Sequence, residues 1–224
     1  MEYQEFEKIA KILAHHLENV PRKWDAKSVI LEMKNAGSKQ WRQMEWMGFY
    51  FEFLCDKLLS SGTHFAARDE KGVYGNVQFD GFFEIPWDYK VHATNTSSHH
   101  VIVNDRVAIE SAVEDYGVVG VIMAIGDVEY NDENRTFQKW HSELKGGKSD
   151  YEKKRIKRGA WSRRRKTKFT LKQILFIKID SEVLENAGSF QGRFRNADGS
   201  PRKEKILLDL EALRDSDFYC LDFE

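Results

Sequence analysis

The sequence predicts a mixed α/β domain in which a central sheet is flanked by helices. Three observations point there. The first sixty residues repeat their apolar side chains at helical spacing, and residues 79–94 switch to strand-like runs with a period of two. Residues 117–130 then form a nearly continuous apolar run, rich in β-branched side chains and bounded by glycine. Such a run favours a buried central strand over a helix. A chain of 224 residues is long enough for one substantial core. A single domain is expected, with a helical part over 1–62, a core over 63–130 and a further part over 131–224.

Taken in order, Phe6, Ile9, Ile12, Leu13 and Leu17 mark a first helix that ends before Pro21. A second, short helix is expected over 28–34, stopping near Gly37. Ser38 suits the N-cap of a third helix over 40–59, which the Ser60-Ser61-Gly62 breaker ends. Met44, Trp46, Met47, Phe51, Leu54, Cys55 and Leu58 supply its core face, and Glu45 and Glu52, two turns apart, point the same way. Residues 64–67 and 75–79 read as strands about a turn at 69–72. Two further runs follow, with Pro86 marking the bend between them. Helices are expected over 105–116 and 137–144. Residues 171–180 read as a strand or buried segment, and 181–187 as a short helix ended by Gly188. The loop 194–205 has strong turn chemistry at 196–201, and 206–215 fits a strand or a helix.

The net charge of −1 hides an asymmetry. Ten of the 35 Lys and Arg lie between Lys153 and Lys168 with no acid among them, and all 36 acidic residues lie elsewhere. A run of this kind suits a polyanionic partner, although a solvated helix face would carry the same charges. No apolar stretch approaches the roughly 18 residues of a membrane span. The first residues are charged from Glu2 onward and do not read as a signal peptide. Cys55 and Cys220 form neither a metal pattern nor a disulfide framework, and Cys55 is expected to be a buried thiol, so a reducing cytoplasm fits. His99 and His100 fall in a polar loop without Cys or acid partners at ligand spacing and are not read as a zinc site.

The informative stretch is 79–92. If residues 87–92 form a strand, Asp88, Lys90 and His92 share one face and Trp87, Tyr89 and Val91 the other. A hairpin return around residues 84–86 would bring Asp80 near Asp88. Two carboxylates at one point repel unless a cation lies between them, and Mg²⁺ suits such hard oxygen ligands. A metal held there lowers the pKa of a bound water and offsets charge on a phosphodiester. Lys90 would orient or help deprotonate the water, or balance charge on phosphorus. His92 shares that face and could bond a phosphate or a water.

These residues reach a resemblance. Asp80 followed by Asp88-Tyr89-Lys90 resembles the PD-(D/E)xK nuclease signature, and the order of acidic helix, strand, Asp strand, DxK strand, helix and buried strand is similar across residues 40–130. The resemblance implies a restriction-endonuclease-like mixed sheet. It also implies an extra acid from the preceding helix, with Glu52 preferred to Glu45 because its neighbours are strongly apolar. The backbone carbonyl of Tyr89 would face the metal. The sequence departs from the family pattern at Phe79, where Pro is common, and in the short spacing from Asp80 to Asp88, which leaves Glu84 as an alternative acid.

The activity implied is that of a Type II restriction endonuclease. It would cleave double-stranded DNA at a short sequence with Mg²⁺, as a homodimer, alongside a companion methyltransferase in a prokaryotic cytoplasm. Within the domain, 63–130 would be the catalytic core and 131–224 the DNA-binding elaboration. Arg163, Arg164, Arg165 and Lys168 are expected to include phosphate contacts, with Trp161 beside them, and Asn196 and Arg202 lie in a second candidate recognition loop. The alternatives are a repair or junction nuclease, and a nucleic-acid-binding module without catalysis.

Overall fold

A strand that is apolar on both faces lies between two layers, and a helix with one apolar stripe closes a layer. The chain supplies both. The structure is a computed structural model that describes residues 1–62, 64–67, 79–95, 98–130, 133–148, 150–159, 164–192, 195, 200–201 and 203–223. In chain order the elements are α1 (Tyr3–Leu17), β1 (Lys23–Asp25), α2 (Ala26–Asn35), α3 (Trp46–Leu59), β2 (Ala66–Ala67), β3 (Gly81–Phe83), β4 (Ile85–Ala93), β5 (His100–Asp105), α4 (Arg106–Tyr116), β6 (Val119–Glu129), α5 (Thr136–Leu144), α6 (Asp150–Lys157), β7 (Lys168–Ile179), α7 (Ser181–Ala187), β8 (Gly188–Gln191), β9 (Lys205–Asp209) and β10 (Phe218–Asp222).

The main sheet runs β1-β7-β6-β4-β3-β2, and β10 also pairs with β7. β4 and β6 are parallel, while the other pairs in this sheet are antiparallel. A parallel pair needs a crossover, and β5 with α4 provides it. A smaller antiparallel sheet has the order β5-β9-β8. The mixed α/β class expected from the sequence is the class observed.

β6 sits between β4 and β7 and is buried from Val119 through Gly126. Its alternate residues feed two cores. Ile122, Ala124 and Val128 join Phe6, Leu13, Trp24, Phe51, Trp87 and Phe176 beneath α1, α2 and α3. Val121, Met123 and Ile125 join Ile109, Ala112, Ile177, Val183 and Leu208 beneath α4, α7 and the small sheet. Gly120 is required here, because a Cβ would come within 2.2 Å of the Trp87 ring.

Several local expectations need correction. The third helix begins at Trp46, not near residue 40, and Ser38 instead caps a 3₁₀ turn over Lys39–Arg42. Tertiary bonds divide the two. The Trp41 carbonyl meets His141 Nε2 at 2.9 Å, Gln43 is extended, and the Trp46 indole donates to the Lys166 carbonyl at 2.9 Å. Glu45 is therefore the residue before α3 and not a helical partner of Glu52. The hairpin bends at Glu84, with φ of 60°, while Pro86 lies inside β4. β1, β5 and β10 were not anticipated. The part over 131–224 is not purely an addition, since it supplies β7 and β10 to the main sheet. Residues 206–215 combine both readings, with β9 followed by 3₁₀ turns. The expected strand over 75–79 and turn at 69–72 lie outside the described residues except for Phe79, which is buried but not in a strand.

Candidate active site

The site starts with the β3–β4 hairpin. Gly81 pairs with Trp87, and one step further the Asp80 backbone N–H donates to the Trp87 carbonyl at 2.9 Å. Cross-strand neighbours in an antiparallel pair point to the same face, so Asp80 and Asp88 face the same way. The β3–β4 ladder ends there. The next donor on β4, the Tyr89 N–H, bonds the Asp80 carboxylate at 2.7 Å. Among the described residues a side chain takes the place of a strand here, and it holds the acid beside Asp88. Both carboxylates are nearly out of solvent, Asp80 at 6% exposure and Asp88 at 2%. Glu84 is exposed, turns the opposite end of the hairpin and is not a wall of the cleft described below. It does not substitute for Asp80.

Lys90 stands two residues along the same face. Its Nζ lies 2.5 Å from Asp88 Oδ2 and donates to the Tyr89 carbonyl at 3.1 Å. Asp88 Oδ2 is buried and held against the Lys90 ammonium. Burial pushes the Asp88 carboxyl up to about 8; the Lys90 ammonium opposes this shift and the adjacent Asp80 carboxyl adds to it. An acid so displaced, in a cleft and beside a second acid, has the properties expected of a functional group.

Asp80, Asp88 and Lys90 open into a cleft of about 430 Å³ whose other polar walls are Glu45, Glu52, Asn104, Lys166 and Lys205. Glu52 comes from α3 and is half-buried. Glu45 also reaches the cleft but is exposed and paired with Arg165 at 3.3 Å. Of the two acids, Glu52 is the better placed to act with Asp80 and Asp88. His92 shares the face of Asp88 on β4 but is not a cleft wall. Burial, with help from Lys166 and His99, lowers its pKa, so it is neutral near pH 7.

A second groove of about 860 Å³ shares Glu45, Met47 and Lys166 with the first and adds Tyr130, Arg155, Arg164 and Arg165. The acidic centre thus lies next to a basic trough. Of the basic residues expected to meet phosphate, Arg164 and Arg165 line the trough, with Arg164 also 3.6 Å from Glu133. Lys168 does not line it and pairs with Glu129 across β6–β7 at 3.2 Å. Arg163, Asn196 and Arg202 lie outside the described residues, as does Trp161. Sequence reading missed Arg155, Lys166, Asn104 and Lys205 as site residues. The first two belong to the basic run and carried that signal. Asn104 and Lys205 carried none, because the pairing of β5 with β9 is what brings them to the cleft.

The donor set suits a hard divalent ion. Two carboxylates and a carbonyl supply only oxygen. The Lys90 ammonium already bridges Asp88 and the Tyr89 carbonyl, the same two groups expected to meet a metal.

No protein-family model matches the chain, and no curated protein does. Among solved structures, that of the restriction endonuclease BglI bound to its DNA recognition sequence aligns over 98% of this chain and 94% of that chain, with 10% identity and a TM-score of 0.31. A likeness at that score does not assign a family, and the functional reading rests on the residues themselves. No helix among the described residues is long and apolar enough to cross a membrane.

Proposed function

We propose that the chain is a Mg²⁺-dependent endonuclease of the Type II restriction kind, hydrolysing phosphodiester bonds in double-stranded DNA at a short specific sequence. The observation that carries this reading is the convergence of buried Asp80 and Asp88 with Lys90, in a cleft continuous with a trough of Arg155, Arg164, Arg165 and Lys166. Acids alone repel a phosphate, and cations alone bind it without cleaving it. Side by side, the two give a means of holding the backbone and a centre for attacking it.

Asp80, Asp88 and the Tyr89 carbonyl would hold the ion, which supplies charge neutralisation at phosphorus and acidifies a bound water. The chain's own groups do the rest. The Tyr89 N–H fixes the Asp80 carboxylate in place. Lys90, on the same face, brings an ammonium to the scissile phosphate, where it offsets the negative charge that grows as water adds and a bridging oxygen leaves. Glu52 can take a proton from the attacking water, and the leaving oxygen takes one from solvent. Arg164 and Arg165 hold flanking phosphates and set the register. Cutting both strands of a palindrome calls for two such centres about a two-fold axis, so the working unit is a homodimer. A methyltransferase of matching specificity would protect the host DNA.

One observation favours a second reading, a DNA-binding module without catalysis. Lys90 already lies against Asp88, as in a purely structural contact. One experiment separates the two. Plasmid DNA is incubated with the protein in Mg²⁺ or in EDTA, and the fragment ends are sequenced. Discrete fragments with a common end sequence, formed only with Mg²⁺, are expected. Intact plasmid that nevertheless shifts on a gel would establish the binding module.

A further inference from the structure

The sequence places no acid near His99 and His100, but the fold does. β5 pairs with β9 so that His100 lies directly across from Asp209. Cross-strand neighbours hold their side chains on one face about 5 Å apart. His99 precedes β5 and is free of strand alternation, while the Leu210 N–H donates to its carbonyl at 3.1 Å and ties it to the same place. The two imidazoles stand with ring centres 4.5 Å apart. His99 Nε2 is 3.8 Å from Asp209 Oδ1, and His100 Nε2 is 3.8 Å from Asp209 Oδ2.

These separations are too long for hydrogen bonds, yet they suit a shared ion. Zinc bonds of 2.0–2.2 Å in a tetrahedron put ligand atoms about 3.3–3.6 Å apart, a few tenths of an ångström inside what is observed. One potential ligand atom from each of the three residues lies within 4.8 Å of those from the others. The carboxylate is also oriented, because Asp209 Oδ1 accepts the Glu211 N–H at 3.0 Å. Glu211 Oε1 lies 3.8 Å from His99 Nδ1, on the other side of that ring.

We propose that His99, His100 and Asp209 form a second metal site, specific for a borderline transition ion such as Zn²⁺. Two imidazoles and a carboxylate match that ion and not Mg²⁺. The three side chains are between 30% and 42% exposed, which leaves the fourth position to water. The ion would clamp β5 to β9. Val103 and Asn104 on β5 and Lys205 on β9 form one wall of the acid cleft, so the clamp holds that wall in place. The site stands whether or not the acid cleft cleaves DNA.

The test titrates ZnCl₂ into metal-free protein carrying Asp88→Asn, which weakens ion binding at the acid cleft, and follows heat and thermal unfolding. One equivalent should bind, and zinc at a hundred times Kd should raise Tm by about 5–10 °C. Millimolar Mg²⁺ should do neither. His99→Ala/His100→Ala should lose at least about a hundredfold in zinc affinity. Asp209→Asn, which keeps an acceptor for the Glu211 N–H, should lose at least about tenfold. It serves as the check if the double variant folds poorly. No saturable zinc binding in the parent, or unchanged affinity in the variants, overturns the proposal.

Discussion

Asp88→Asn should make the protein more stable at alkaline pH while removing its proposed activity. Asp88 is buried beside Asp80 and its carboxyl is pushed up to about 8. The folded chain therefore keeps that proton where the unfolded chain, with its carboxyl near the ordinary value of about 4, has lost it. Unfolding releases the proton, so Asp88 favours the fold most below about pH 4. That contribution is lost as pH rises through about 8. At about 1.4 kcal/mol per pH unit, the displacement is worth several kcal/mol at its ceiling. The Lys90 ammonium opposes the gain, since the amide leaves it without a counter-charge. A net gain of about 1–3 kcal/mol at pH 9 is reasonable, or a Tm rise of about 3–10 °C for a chain of this size. Thermal unfolding followed by circular dichroism at pH 5, 7 and 9, without divalent ions, reads it. The variant should gain on the parent as pH climbs and show little advantage at pH 5. Parallel Tm curves across that range would refute the claim that burial beside Asp80 holds Asp88 protonated.

Three further outcomes are expected. Because a metal must displace the proton on Asp88, Mg²⁺ affinity and cleavage at limiting Mg²⁺ should climb with pH up to about 8, by up to about tenfold per unit; a flat profile in a Mg²⁺ titration from pH 6 to 9 would show that Asp88 is not a ligand. Arg165→Gln removes a trough cation whose side chain is only 15% exposed and whose Nε is buried without a hydrogen-bond partner among the described residues. The slope of log K against log salt in DNA-binding titrations should fall by about 0.9 if Arg165 meets one phosphate, and an unchanged slope would exclude the contact. Gly120→Ala drives a methyl into the Trp87 ring and should cost about 1–3 kcal/mol in urea denaturation, whereas a loss below about 0.5 kcal/mol would mean that the ring yields without strain.

The sequence showed the site's local part well, because that part is short-range. Asp80, Asp88 and Lys90 lie in one hairpin, where period two and a single turn decide which side chains meet. The buried run that became β6 and the helices α1 and α4 were legible for the same reason: their apolar spacing is written in contiguous residues. Long-range pairing was not legible. Asn104 and Lys205 reach the cleft through a strand pair about a hundred residues apart in sequence, and the same pair brings Asp209 to His100. The start of α3 was misplaced because apolar spacing continues through Met44, while the break depends on His141 and Lys166 far along the chain. Glu84 was a fair substitute acid by spacing, and the fold sets it apart because it turns the far end of the hairpin, exposed and outside the cleft lining.

The central claim is that Asp80, Asp88 and Lys90 act together on a DNA phosphate. The most direct measurement compares plasmid cleavage and DNA binding, side by side, for the unmodified chain and for Asp80→Asn, Asp88→Asn and Lys90→Ala. Cleavage should fall by at least about a thousandfold in each variant, while affinity for DNA changes by no more than a few fold. Mg²⁺-dependent fragments that persist at the parent rate in the Asp88→Asn or Lys90→Ala protein would contradict it.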